Sequence, residues 1–462
     1  MKKLFLLALA ALACCATAFS QEVIKTEDMP KKITSFSLGD NCKRIIFSFP
    51  TTTPTGKDTV MHGAILMNNE VYTNKSAPKG IILNHQYTIT ASNQCATRAE
   101  SLNIESMLLT ENGLWGVIKG VNNNYIIVSP NNYGFGGDKI DRQAYLYGDI
   151  TAKGALDCLR AAKTVLDNEG FTYGSILASV GYSQGGHSSM STLKFSETNA
   201  SYNDIKFDGV FCGAGPYDID VFYKQLVKDG AVTRYPVSLP LTFSSITSME
   251  QLMGNEVFTK YSNKDLFSEK ITDKVPEWLN GSYGSDSINT LIYSIYNTSD
   301  SVKVAEMLTH NVMDSTTTIS NDYRAIMRKN SLVYSDWTPN ASDNIYMYHN
   351  TGDDVVPVEC TVSMDNYLKN SGFNGKLDVK YDNTDLSAFK SFVNAGTHLM
   401  GAIFFVNYAS EILNNLEPTS IQELNVQETK NVDNNIYDLL GRKLNGIPES
   451  GIYIKNGKKY IK

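Results

Sequence analysis

Ser179-Val180-Gly181-Tyr182-Ser183-Gln184-Gly185-Gly186 sets a serine between two glycines at the close of an apolar, strand-compatible run, Ile176 to Val180. A helix-compatible stretch, Gln184 to Lys194, follows with no room for a loop. A chain that passes from strand to helix through one residue must turn sharply there, and the side chain at the apex projects above the sheet. Glycines two residues to either side let the helix pack close to the neighbouring strands. At average composition a G-x-S-x-G match arises by chance about 0.2 times in a chain of this length, and seldom with strand before and helix after. The stretch therefore predicts a nucleophile elbow at Ser183 rather than an ordinary glycine-rich turn.

Outward from the elbow, apolar strand-like runs alternate with helical ones. Lys43 to Phe49 and Val60 to Met67 read as two strands joined by a polar turn, and Gly80 to Leu83 and Tyr125 to Val128 as short buried strands. Ile150 to Leu166 has helical apolar spacing, and Gly209 to Cys212, Asn344 to His349 and Leu377 to Tyr381 are further strands before the amphipathic helix Leu399 to Leu416. Continuous apolar strands separated by helices predict a mainly parallel sheet covered on both faces, an α/β class. Between Asp218 and Ala341 the rhythm breaks into polar and aromatic sequence with helical pieces at Val221 to Val227, Ile288 to Tyr296 and Val302 to Leu308. A structureless loop of that length is anomalous. The expected organisation is a core over residues 39–217 and 342–416, a helical cap inserted over 218–341, a linker over 417–434 and a small terminal segment over 435–462.

The chain has 462 residues, 42% hydrophobic and 19% charged, which is a globular composition. A net charge of −7 disfavours nucleic acid as a partner. Lys2 and Lys3, the apolar run Leu4 to Ala13 and the small residues ending at Ala18-Phe19-Ser20 predict an export signal over residues 1–20, with a lipoprotein reading through Cys14 as the alternative. Cleavage leaves five cysteines, of which Cys42 and Cys95 are the expected disulfide in an oxidising compartment. Oligomeric state is not legible.

A serine hydroxyl needs a base, and the base needs a carboxylate that holds its tautomer. For strand-to-helix elbows the chain order is serine, acid, histidine. Asn350-Thr351-Gly352-Asp353-Asp354 follows the strand Asn344 to His349, which makes Asp353 the first choice of acid and Asp354 the second. His398, in Ala395-Gly396-Thr397-His398, follows the last strand at a helix start. Among the other five histidines, His62 lies in an early strand and His187 one turn past Ser183; His310 falls in the cap, His349 braces the acid loop and His85 sits beside the loop after Leu83. Two backbone donors must face the developing oxyanion. Gln184, directly after the serine, supplies one; Gln86 or Tyr87, in Asn84-His85-Gln86-Tyr87-Thr88, supplies the other. This chemistry calls for no metal or cofactor.

With these motifs in place, residues 39–416 resemble an α/β-hydrolase, and within that fold the secretory lipase and esterase family. The resemblance rests on Gly181-Tyr182-Ser183-Gln184-Gly185-Gly186, on Ser129-Pro130-Asn131-Asn132-Tyr133-Gly134-Phe135-Gly136, on the helix Ala155 to Ala162, on Gly213-Ala214-Gly215-Pro216-Tyr217-Asp218 and on Asn93-Gln94-Cys95. The chain departs from the family at Asn131 or Asn132, where an aspartate is usual, and at His85-Gln86 in place of His-Gly. The tail from Asn435, with Tyr437-Asp438-Leu439-Leu440-Gly441-Arg442 and Gly451-Ile452-Tyr453-Ile454, is similar to C-terminal type IX secretion sorting domains. The resemblance implies a secreted serine hydrolase of carboxylic esters, with a small-molecule or lipid ester as substrate and the secretion machinery as a partner of the tail. Two alternatives stay open. One is a serine peptidase on the same fold, for which Asp265, Glu269 and Glu277 are candidate anchors of a free amino terminus; the other is a surface binding protein on an inactive hydrolase.

Overall fold

The computed structural model describes residues 21–28, 42–98, 125–135, 142–388 and 396–418, with four short pieces of the tail (436–437, 443–444, 452–455 and 458–461). The expected signal over 1–20 lies outside the described residues, as do Gly136, Ala395 and most of the expected linker. The side chain of Cys42 lies outside them too, and with it the expected Cys42–Cys95 pairing.

Nine strands form one sheet: β1 (Glu22–Asp28), β2 (Cys42–Thr52), β3 (Asp58–Asn68), β4 (Gly80–His85), β5 (Tyr125–Pro130), β6 (Ile176–Tyr182), β7 (Gly209–Gly213), β8 (Asn344–Asn350) and β9 (Lys376–Asp382). Their order is β1-β2-β3-β5-β4-β6-β7-β8-β9. The first three strands join antiparallel, and β3 meets β5 antiparallel. From β5 to β9 every pairing is parallel. Every residue of β4, β5 and β6 is buried. That is the signature of strands covered on both faces, and it is why these segments read as continuous apolar runs.

The connecting helices supply the cover. Helix α1 (Gly148–Asn168) buries Ala152, Ala155, Leu159, Ala162 and Leu166, an apolar stripe at helical spacing, and packs on α2 (Gln184–Thr198) and on β5. Helix α2 buries Ser188, Ser191 and Thr192 instead of a leucine stripe. Their hydroxyls donate to the carbonyls of Gln184, His187 and Ser188 at 3.0, 2.7 and 2.8 Å, so a helix of small polar residues enters the core with its hydroxyls satisfied.

Between β7 and β8 the chain leaves the sheet. It builds α3 (Ile219–Val227), α4 (Ser238–Leu252), α5 (Ser285–Tyr296) and α6 (Thr318–Asn330), with shorter turns between them. These helices enclose a second apolar cluster that includes Phe243, Phe258, Phe267, Trp278 and Tyr323. Residues 144–147, from the β5–α1 connection, join that cluster. Val302 to Leu308 is not one helix: Val302–Lys303 pairs with Val232–Thr233, and only Val304–Met307 turns helical. The β-branched Val302, facing the β-branched Thr233, fits a strand better than a helix start, which periodicity over seven residues does not reveal. Helices α7 (Glu359–Asn370) and α8 (Gly396–Asn414) complete the core. Among the described residues no helix is long and apolar enough to cross a membrane.

The tail is a compact unit of its own, residues 421–462. Its described pieces form a four-stranded antiparallel sheet in the order Lys443–Leu444, Ile436–Tyr437, Ile452–Lys455, Lys458–Ile461.

Candidate active site

In an open parallel sheet, ligands bind beyond the carboxyl ends of the strands, where the strand order reverses. Here β4 lies between β5 and β6. The loop from Gln86 follows β4, Ser183 follows β6, Asp353 follows β8, and His398 is the third residue of α8 after β9. The elbow, the acid and the histidine come from segments far apart in sequence to one edge of the sheet.

Ser183 has φ 59° and ψ −126°. A non-glycine residue in such a conformation costs about 1–3 kcal/mol and persists only where its surroundings enforce it. Here they do: the Ser183 N–H donates to the Gly213 carbonyl at 2.8 Å, and its own carbonyl accepts from Gly186 N–H at 2.9 Å. The glycines are dictated by contact. A β-carbon on Gly181 would lie 2.1 Å from the Gly185 carbonyl oxygen, and one on Gly185 2.3 Å from that of His85.

The Ser183 hydroxyl donates to His398 Nε2 at 2.9 Å, and His398 Nδ1 donates to Asp353 Oδ2 at 2.6 Å. A proton on Nδ1 leaves a lone pair on Nε2, the arrangement a base requires. The Asp353 carboxylate is fully occupied. Oδ1 accepts from Val355 and Val356 N–H, both at 2.9 Å, and Oδ2 also lies 3.4 Å from His349 Nε2. Burial works to raise the Asp353 pKa, but the attraction of His398 and the hydrogen bonds of His349 and His398 outweigh it, and the carboxyl is held well below the usual carboxylate range. Asp354 has a different neighbour: its Oδ1 accepts the backbone N–H of His398 at 3.0 Å. An acid there complements the first turn of a helix, whose N–H groups lack intrahelical acceptors.

Tyr182 holds His398 by two contacts. Its ring centroid is 5.0 Å from that of His398, and its hydroxyl donates to the His398 carbonyl at 2.8 Å. Burial, the largest cause, and the charges of Asp353 and Asp354 push its pKa far up, so it stays a phenol. Tyr182 lies within the elbow motif, but its partner is 216 residues away, beyond the reach of any local sequence pattern.

The oxyanion candidates fall at this site. Gln184 is the first residue of α2, so its N–H has no acceptor within the helix. A β-carbon on Gly185 would come 3.1 Å from the Gln86 carbonyl oxygen, so the backbone at Gln86 abuts the first turn of α2. Tyr87 lines the cleft beside Ser183. Asn84 and His85, expected in the loop, belong to β4. His85 is buried with Nε2 3.0 Å from Ser179 Oγ, and burial pushes its pKa down to about 3. His187 is also interior, donating to the Asn330 carbonyl at 3.0 Å with its pKa pushed down to about 4 by burial.

Ser183 and His398 open into a cleft of about 570 Å³, part of it open to solvent. Rings of Tyr87, Tyr145, Tyr235 and Phe222 and the aliphatic Val355 and Leu399 line it, and none of the described lining residues is a carboxylate, a lysine or an arginine. The aromatics of the inserted segment divide sharply: Phe222 and Tyr235 line the cleft, whereas Phe243, Phe267, Trp278 and Tyr293 fill the second apolar cluster. Tyr145, from the β5–α1 connection, was not foreseen; its N–H donates to Ser245 Oγ on α4 at 2.9 Å. The loop after β4 reaches the inserted segment as well, with Thr90 Oγ1 donating to the Tyr283 carbonyl at 2.8 Å. The acidic candidates for a peptide site do not line the cleft: Asp265 caps a short helix with Ser262, and Glu277 accepts the Tyr283 hydroxyl.

Strand order, elbow and the convergence of serine, histidine and aspartate at the carboxyl edge define the α/β-hydrolase fold. Solved structures agree. The chain is similar to the rice cell wall degrading esterase LipA from Xanthomonas oryzae, with a TM-score of 0.66 at 17% identity, over 86% of this chain and 98% of that one. It is also similar to Candida antarctica lipase A in its closed state, with a TM-score of 0.56 at 14% identity, over 87% of this chain and 84% of that one. At such identities the likeness concerns the fold. No protein-family model matches the chain, and no curated protein matches it.

Proposed function

We propose that the protein is a serine hydrolase of carboxylic esters, of lipase or esterase type, acting through an acyl-enzyme on Ser183. One observation carries the reading: an unbroken hydrogen-bonded chain from Ser183 through His398 to Asp353 opens into a cleft lined by rings and aliphatic groups. As Ser183 Oγ bonds to the ester carbon, His398 Nε2 takes its proton and the carbonyl electron pair moves onto oxygen. The amides of Gln184 and of Gln86 or Tyr87 stabilise that oxyanion. Its collapse breaks the bond to the alcohol, which leaves with the proton from His398. Water, deprotonated by the same imidazole, then releases the acid. Asp353 stabilises the imidazolium in both halves.

Ester hydrolysis is favoured over peptide trimming because, among the described residues, no carboxylate lines the cleft to hold a free amino terminus. The neighbouring solved esterase and lipase support the same choice. We further propose that residues 218–341 act as a cap over the acyl site, that the chain is exported through residues 1–20, and that the tail serves as a sorting signal and not in catalysis. The test is hydrolysis of p-nitrophenyl acyl esters of increasing chain length, with Ser183→Ala in parallel. Turnover that disappears in the variant supports the reading. A folded wild type inert on every ester contradicts it and turns attention to peptides.

A further inference from the structure

The reaction uses one histidine, yet a second buried imidazole touches the same carboxylate. His349, at the end of β8, is fully buried. Its Nε2 lies 2.9 Å from the Val356 carbonyl oxygen and 3.4 Å from Asp353 Oδ2, while Nδ1 lies 2.7 Å from Thr361 Oγ1 on α7. A carbonyl and a carboxylate only accept, so Nε2 carries the hydrogen. Nδ1 then has a lone pair that accepts the Thr361 hydroxyl. The tautomer is therefore fixed by its partners, and the ring ties strand, acid loop and following helix together.

The Val356 peptide is held from two sides. His349 takes its carbonyl, and its N–H donates to Asp353 Oδ1 at 2.9 Å. Asp353 thus has one oxygen aimed by a peptide that His349 fixes and the other shared between His349 and His398. A phenyl ring would fill the same space, but it offers no donor to the Val356 carbonyl and no partner to the Thr361 hydroxyl. We propose that His349 is a positioning residue for the hydrolysis, aiming the Asp353 carboxylate at His398 through the acid loop. This rests on the ester-hydrolase reading of the same site.

The test compares His349→Phe, His349→Gln and Thr361→Val with wild type on a p-nitrophenyl ester that Ser183→Ala leaves intact. A misplaced carboxylate affects the chemical step and not substrate binding, so His349→Phe is expected to lower kcat about 10- to 100-fold with KM within about twofold. Glutamine carries a donor where Nε2 stood, and His349→Gln is expected to recover most of the loss. A folded His349→Phe with wild-type kcat, or a His349→Gln no better than His349→Phe, overturns the proposal. Should His349→Phe fail to fold, Thr361→Val decides. A fall in kcat of about threefold or more at unchanged KM supports the role, and wild-type kcat overturns it. Wild type without Ser183-dependent turnover would instead remove the functional reading itself, and this role with it.

Discussion

Asp353 and Asp354 stand side by side after β8, and their oxygens meet different parts of His398: the ring for Asp353, the backbone N–H for Asp354. Sequence alone ranks them only by place in the turn, since either acid suits a glycine-aspartate loop. The choice depends on the backbone torsions between them, which no residue type encodes. Two substitutions separate the roles. Asp353→Asn should lower kcat about 10⁴-fold, because an amide cannot hold the Nδ1 tautomer or offset the imidazolium charge. Asp354→Asn keeps an oxygen for the helix N–H and should leave kcat within about tenfold. The places of Ser183 and His398 in the fold were legible because their environments are local, a strand-to-helix apex and a helix start. Tyr182 and His349 were not legible in the same detail, since their partners come from other strands and loops.

At the scale of elements, the elbow depends on backbone packing against backbone. With a β-carbon 2.1 Å from the Gly185 carbonyl, Gly181→Ala must displace α2 from β6. It should destabilise the fold by about 3 kcal/mol, measured by urea unfolding, and lower activity even where the protein remains folded. The interior histidines bring a pH dependence. His187 is pushed down to about 4 from an ordinary 6.5, so across that window the unfolded chain binds a proton that the native one does not. Stability is full above about 6.5 and falls as pH drops, by about 3 kcal/mol from His187 by pH 4. His85, pushed down to about 3, acts in the same sense. Asp343 opposes it, its carboxyl raised to about 8 by burial and by the Glu197 carboxylate. Comparing urea midpoints of wild type and His187→Gln at pH 7 and pH 4.5 isolates the histidine, and the variant should show the shallower decline. Elements with clean periodicity, such as α1 and β6, matched their expected extents within a few residues. β4 ran two residues further because Asn84 and His85 are polar yet buried, and polarity had signalled a loop.

For the whole molecule, the inserted segment was legible as helical but its role was not. Its aromatics mostly build its own interior, and the cleft wall is shared with Tyr87 and Tyr145 from the sheet's own loops. Trimming that wall should therefore alter chain-length preference: Tyr145→Ala is expected to raise kcat/KM for longer acyl groups relative to acetyl by about tenfold, read from the p-nitrophenyl series. The tail forms a compact unit of its own. A chain ending at Ser420 should keep wild-type kcat/KM, and a marked loss would assign the tail a catalytic part. Ser183 is the proposed nucleophile. The most direct measurement is to treat the folded protein with a fluorophosphonate, digest it and locate the adduct by mass spectrometry. One phosphonyl group on the peptide containing Ser183, absent in His398→Ala, is the predicted result. No adduct on folded protein, or an adduct on another serine, would contradict the account.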